Sequence, residues 1–179
     1  PTPGTGKSLL SEVVSIISTG RNTGMMSAVE HDEEWRKQIT ATLMMGSTII
    51  IIDNVEHPLS APSLARALTS PIWKDRILGR SEMVVLAQRA TWIATGNNIQ
   101  LRGDLPRRCY PIRLDARVAQ PWKRTGFKHP NLVQWVTQNR GRLLAALLTM
   151  ARAWFAAGRP PADVPTMGSF AEWAETVGG

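Results

Sequence analysis

The chain reads as an α/β fold: a mostly parallel sheet flanked by helices, followed by a small helical lobe. Three observations predict it. Thr48-Ile49-Ile50-Ile51-Ile52-Asp53 is a continuous apolar run of strand length, the pattern of a parallel strand buried on both faces. Thr91-Trp92-Ile93-Ala94-Thr95 is a second such run, closed by the turn residues Gly96-Asn97-Asn98. Segments with helical spacing precede both, and beyond Asp115 that spacing takes over. The expected division is an α/β core over residues 1–116 and a helical lid over 117–179.

The elements follow in order. Lys7 to Ile17 carries apolar residues at Leu9, Leu10, Val13, Val14, Ile16 and Ile17, which predicts a helix with a broad buried face. Residues 18–24 end it in loop chemistry, and Met25 to Val29 is a short strand. Glu30 to Glu34 suits the first turn of a helix that continues through Met45 and stops at Gly46. After the isoleucine strand, Pro58 to Pro62 is a turn and Ser63 to Leu68 a helix. Residues 71–80 read as irregular, with Arg76 to Gly79 forming a hairpin with Met83 to Leu86. Cys109 to Leu114 is a further strand, placed at an edge by Pro111. Asn131 caps a helix through Leu132, Trp135 and Val136, and a second helical stretch spans Leu143 to Ala157. Ser169-Phe170-Ala171-Glu172 is a capping box that opens a last helix.

Composition sets outer bounds. At 179 residues the chain can bury a substantial core. The single cysteine, Cys109, excludes an intrachain disulfide and a cysteine-rich metal site, and fits a reducing cytosol. No apolar run reaches membrane-spanning length and no secretory signal is visible, so the expected location is cytoplasmic, with no membrane partner. The chain begins inside a loop without an initiator Met and ends just after a helix has opened, as a fragment of a longer protein would; the strand expected before Pro1 is missing from it. The net charge of +7 is uneven: residues 1–100 hold nine Lys/Arg against nine Asp/Glu, and residues 101–179 hold twelve against five. A basic half implies a polyanion, nucleotide phosphates or a neighbouring subunit as its counterpart.

The chemistry starts at the N-terminus. Pro1-Thr2-Pro3-Gly4-Thr5-Gly6-Lys7-Ser8 fits most of the phosphate-loop pattern G-x-x-x-x-G-K-[ST], with Pro1 in the first glycine slot. Pro3, Gly4, Thr5, Gly6, Lys7, Ser8 and Leu9 are the candidate phosphate contacts. Gly4 and Gly6 let backbone N–H groups converge on an anion, and the helix that follows adds its N-terminal partial charge. Lys7 would reach the β- and γ-phosphates, and the Ser8 hydroxyl would bind Mg²⁺. The competing reading is an ordinary Gly-Pro turn. Asp53 ends an apolar strand, where open α/β sheets bind ligands, and is the second Mg²⁺ candidate. Asn54 follows it where many ATPases carry Glu; an amide positions water but cannot accept its proton. Glu56 is the nearby carboxylate that could serve as base, or a solvated loop residue. Asn97 can hold a γ-phosphate or a water, or simply build its turn. Arg107 and Arg108 are candidates for an arginine that reaches a neighbour's nucleotide, or a surface pair in salt bridges.

Taken in order, Pro3-Gly4-Thr5-Gly6-Lys7-Ser8, Ile49-Ile50-Ile51-Ile52-Asp53-Asn54, Ala94-Thr95-Gly96-Asn97-Asn98 and Leu105-Pro106-Arg107-Arg108, followed by a helical lobe, resemble an AAA+ P-loop ATPase module. Asp75-Arg76-Ile77-Leu78-Gly79 and Asn139-Arg140-Gly141-Arg142-Leu143 extend the likeness to the ATPase/helicase part of phage and mobile-element primase-helicases. The resemblance spans nearly the whole chain. It implies an ATP- and Mg²⁺-dependent motor, a homo-oligomeric ring acting in DNA replication on single-stranded or forked DNA. By position it implies Walker A at Lys7 and Ser8, Walker B at Asp53, sensor 1 at Asn97, an arginine finger at Arg107 or Arg108, and a lid arginine at Arg140 or Arg142. Two other classes stay open: an ATP-gated loader or scaffold with little hydrolysis, supported by Asn54, and a P-loop small-molecule kinase. Trp92, Trp122, Trp135, Trp154 and Trp173 could stack on bases, but their apolar neighbours predict core packing. His31, His57 and His129 lack metal-ligand spacing.

Overall fold

The computed structural model describes residues 3–160 and 170–178. They form an α/β arrangement whose central sheet has three parallel strands in the order β1 (Met25–Ser27), β2 (Ile49–Val55), β5 (Thr91–Gly96). The helices are α1 (Lys7–Thr19), α2 (Asp32–Met44), α3 (Pro62–Thr69), α4 (Leu132–Ala156) and α5 (Ala171–Gly178). Between β2 and β5 the chain makes a separate antiparallel hairpin, β3 (Ile72–Arg76) with β4 (Met83–Ala87).

β2 is the axis of the sheet. Ile49, Ile50, Ile51 and Ile52 are all buried, each contributing on the order of 2 kcal/mol through the apolar area removed from water. Their period of two splits them between layers. Ile50 and Ile52 join the core made with Trp35 and Ile39 of α2, Leu64 of α3 and Trp73 of β3. The alternate positions face the other layer, where α1 packs on β2 and β5 and α4 lies along α1. α1 meets the sheet through small residues: Ser11, Ser15 and Ile16 are buried while Leu9, Leu10 and Val14 stay exposed. The expected broad apolar face is therefore narrower, and serines supply the close approach. Ser15 donates to the Arg21 carbonyl at 3.0 Å and shares a hydrogen bond of 2.5 Å with Thr23, so its buried hydroxyl is satisfied.

Several expectations are corrected. Cys109 to Leu114 is not a strand; Tyr110 and Ile112 are exposed, and among the described residues the segment meets no strand ladder that could satisfy its backbone, with Pro111 lacking a donor. The irregular stretch 71–80 instead contains β3, paired from Ile72↔Ala87 to Arg76↔Met83. The two helical stretches after Asn131 are one 25-residue helix, α4, which Gly141 does not interrupt. Asn131 does cap it, accepting from the Gln134 N–H at 3.2 Å. Trp122 and Trp173 are exposed, and the fully buried indoles are Trp35 and Trp73. Ser169 of the expected capping box, and Pro1 and Thr2, lie outside the described residues.

The hairpin is locked to the helical layer by a buried anion. Asp75 is 4 % exposed and takes bonds from Arg36 of α2 (Nη2 2.5 Å, Nε 3.0 Å) and Arg66 of α3 (Nη2 2.9 Å). Arg66 also lies 4.0 Å above the Trp73 ring, whose Nε1 donates to Thr40 at 2.8 Å. The Arg36 hydrogen bond leads in depressing the Asp75 carboxyl; against the cost of burial, it and the Arg76 N–H and Arg66 hold the pKa at about 2. A depressed carboxyl stabilises the fold above its unfolded pKa near 4, and that stability disappears as pH falls through the folded value. Thermal melts should lose about 2 kcal/mol on this account between roughly pH 4 and pH 2. Asp75→Asn should be less stable at pH 7 and lack this acid step; an unchanged acid profile would show that the clamp contributes nothing.

Candidate functional site

The N-terminal loop and the C-terminal ends of β2 and β5 come together. Gly4 and Gly6 both adopt left-handed backbone (φ 73° and 89°), and Gly6 stands at the N-cap of α1. This conformation, costly for other residues, turns the chain so that α1 starts at Lys7 with its first N–H groups free of intrahelical acceptors. Ser8, one residue into the helix, donates from Oγ to Asp53 Oδ1 at 2.7 Å. Lys7 Nζ donates to Asn97 Oδ1 at 2.9 Å and to Thr5 Oγ1 at 3.2 Å.

Asp53 is placed by β2's alternation. It lies on the α1 side, in register with Ser27 of β1, just as the ladder to β5 becomes irregular between Ile52 and Val55. Asn54 takes the irregularity with a φ of 52°. The β5 end must come very close there: a Cβ on Gly96 would stand 2.6 Å from the Val55 carbonyl and 2.7 Å from Ile99. Thr95 Oγ1 donates to Asp53 Oδ1 at 2.5 Å and accepts from the Asn54 N–H at 3.2 Å. Burial works to raise the Asp53 carboxyl, but the Thr95 and Ser8 hydroxyls and the Asn54 N–H outweigh it and hold the pKa below the ordinary carboxylate range. Asp53 is thus an anion at neutral pH. Thr95 joins the site without being among the residues the sequence points to; the Thr-Gly-Asn-Asn that closes its strand is the signal for it.

The other candidates are distributed around this cluster. Pro3 and Leu9 flank the loop and are exposed. Asn54 Nδ2 donates to Glu56 Oε1 at 2.8 Å, holding that carboxylate beyond the end of β2. Arg107 and Arg108 occupy a 3₁₀ turn (Pro106–Arg108) and both pair with Asp104, at 2.9 and 3.1 Å. They differ in access: the Arg107 side chain is 54 % exposed, whereas that of Arg108 is 10 % exposed and also bonds Thr69. Arg140 is not brought to the loop. Its guanidinium donates to the carbonyls of Ile16, Ile17 and Ser18 at 3.0, 3.0 and 3.3 Å, at the C-terminal end of α1. α1 has 13 residues, which puts that end roughly 18 Å from the loop. Arg142 is exposed on α4. A cleft of about 400 Å³ lined by Arg66, Arg102, Asp104 and Arg108 shares no residue with the loop.

Chemically, Ser8 and Asp53 offer a hydroxyl and an anionic carboxylate on one point, hard oxygen donors suited to Mg²⁺. Among the described residues no group of three or more His, Cys, Asp or Glu could hold a metal. A pair of protein oxygens fits a cation that completes its shell with phosphates and water. His129 stacks on Trp135 at 4.0 Å. No protein family, curated protein or solved structure matches the chain.

The Arg140 contact generates a test. Arg140→Ala strips three carbonyls at the α1 C-terminus of their side-chain donor, so urea denaturation should show a loss of about 1–3 kcal/mol. Unchanged stability would mean that the guanidinium does not hold α1 to α4.

Proposed function

We propose that the chain is the ATP-binding and ATP-hydrolysing motor domain of a DNA replication helicase or primase-helicase, a P-loop NTPase of AAA+ type working as a homo-oligomeric ring. One observation carries the reading: Lys7, Ser8, Asp53 and Asn97, from three separate segments, meet at the strand ends in two adjacent hydrogen-bonded pairs, Lys7 with Asn97 and Ser8 with Asp53. An isolated Gly-Pro turn would not require a lysine bonded to an asparagine 90 positions away.

In this mechanism the Gly4–Ser8 backbone and the α1 N-terminus receive the phosphates. Lys7 exchanges its bonds to Asn97 and Thr5 for a γ-phosphate oxygen, which frees the Asn97 amide to orient the attacking water. Ser8 and Asp53 are the donors that would hold Mg²⁺, and that ion when bound offsets charge on the β- and γ-phosphates. Asn54 cannot take a proton, so its amide positions Glu56, and the Glu56 carboxylate accepts the proton of the water. Arg107, the more accessible of the pair, leaves Asp104 and reaches the nucleotide of the neighbouring subunit; Arg108 stays with Thr69 and Asp104 as a brace. DNA as a partner is supported by exposed Arg113, Arg117, Lys123, Arg124 and Lys128 beside exposed Tyr110 and Phe127, and by Lys74, Arg76 and Arg80 on the hairpin. No helix among the described residues is long and apolar enough to cross a membrane.

A second reading, an ATP-gated loader with little turnover, is favoured by Asn54 occupying the position next to Asp53. Phosphate release with and without single-stranded DNA separates the two. Lys7→Ala should abolish ATP binding. Arg107→Ala should keep binding and lower turnover by about 10³-fold or more, whereas Arg108→Ala should chiefly lower the melting temperature. Glu56→Gln should keep binding and slow turnover by about 10²-fold or more; full activity in that variant excludes Glu56 as the base. Absence of turnover in the wild-type oligomer, with ATP bound and DNA present, would establish the loader.

A further inference from the structure

Gly4 is backed by a residue far along the chain. A Cβ at Gly4 would stand 3.0 Å from the Trp122 Cβ, 3.2 Å from its N and 3.4 Å from its Cα. Trp122 sits on a 3₁₀ turn (Pro121–Lys123) whose Pro121 is buried, so the turn is anchored while its indole is not: Trp122 is 58 % exposed. The close approach to Gly4 is made by the Trp122 main chain and Cβ, and the residue is left largely in water. An anchored, exposed indole contributes little to the core and is unexplained by packing. Lys123 and Arg124 beside it are exposed cations.

We propose that Trp122 is the base-stacking platform of the nucleotide whose phosphates lie on Gly4–Ser8. The inference rests on the phosphate-binding reading of that loop and adds the subsite that reads the rest of the ligand. A nucleoside triphosphate with its terminal phosphates at Lys7, Ser8 and Asp53 extends its base toward the other edge of the loop, and the Gly4 edge is where the Trp122 side chain emerges. Stacking on an indole accepts any base by its π-face and rewards area, so the platform selects nucleoside triphosphates over bare triphosphate and purines over pyrimidines. Gly4 then has two reasons to be glycine: its left-handed backbone, and the close seat of Trp122.

The test is equilibrium titration of the wild-type chain, Trp122→Ala and Trp122→Phe with Mg·ATP, Mg·tripolyphosphate and a single-stranded oligonucleotide. Trp122→Ala should weaken ATP binding about ten-fold and leave tripolyphosphate within about two-fold, with Trp122→Phe restoring most of the loss. Equal loss of both ligands would overturn the proposal, because the indole would then be bracing the loop. Loss confined to the oligonucleotide would overturn it in favour of a nucleic-acid contact. Equally tight binding of ATP and tripolyphosphate by wild type would defeat the platform while leaving the phosphate site standing. Binding of neither would remove the phosphate site, and the platform with it.

Discussion

Asp53 keeps a negative charge in the C-terminal half of a strand whose preceding four residues are buried isoleucines. Such a charge is tolerated only if hydrogen-bonded. Ser8 and Thr95 meet that requirement, and in doing so they determine where α1 begins relative to β2 and how close β5 must come. The glycine at position 96 follows from the same demand, since the Val55 carbonyl leaves no space for a side chain. Lys7 and Asn97 are then within hydrogen-bonding distance because each lies one or two residues from a group that holds Asp53.

Asp75, a buried carboxylate, shows the alternative solution. Two guanidiniums neutralise it, and the result is a clamp between the hairpin and α2 and α3. Asp53 is held by neutral hydroxyls instead. Hydroxyls stabilise the anion without cancelling its charge, which leaves it able to attract a cation. The donors alone make the contrast: Asp75 is neutralised inside its clamp, whereas Asp53 keeps its charge. A contrast also separates Arg107 from Arg108. The covered arginine has two intramolecular partners, and the exposed one is free to exchange Asp104 for another anion at little cost.

The central strands, α1 and the loop were legible because each is written locally: an isoleucine run, a helical period, a glycine pair before Lys-Ser. So was the meeting of Ser8 with Asp53, since a carboxylate at the end of a buried parallel strand faces the ligand edge of the sheet. What failed was non-local. Cys109 to Leu114 has strand composition, but a strand exists only with a neighbour to pair with. β3 looked irregular because Lys74, Asp75 and Arg76 are charged, and only the arginines of α2 and α3 make Asp75 a buried residue. Of Arg140 and Arg142, the two lid candidates that the resemblance implies, Arg140 donates to the carbonyls at the opposite end of α1 from the loop. The tryptophans divide by context that no spacing encodes: Trp73 finds Thr40 and Arg66, whereas Trp122, its main chain close behind Gly4, stays exposed.

The proposed role of Asp53 as a Mg²⁺ donor makes nucleotide binding depend on Mg²⁺ through that residue. Calorimetric titration of the chain with ATP, with and without Mg²⁺, measures it directly. The account predicts saturable binding of one ATP per chain that tightens when Mg²⁺ is present, with the Mg²⁺ dependence lost in Asp53→Asn. Binding indifferent to Mg²⁺, or unchanged by Asp53→Asn, would contradict it.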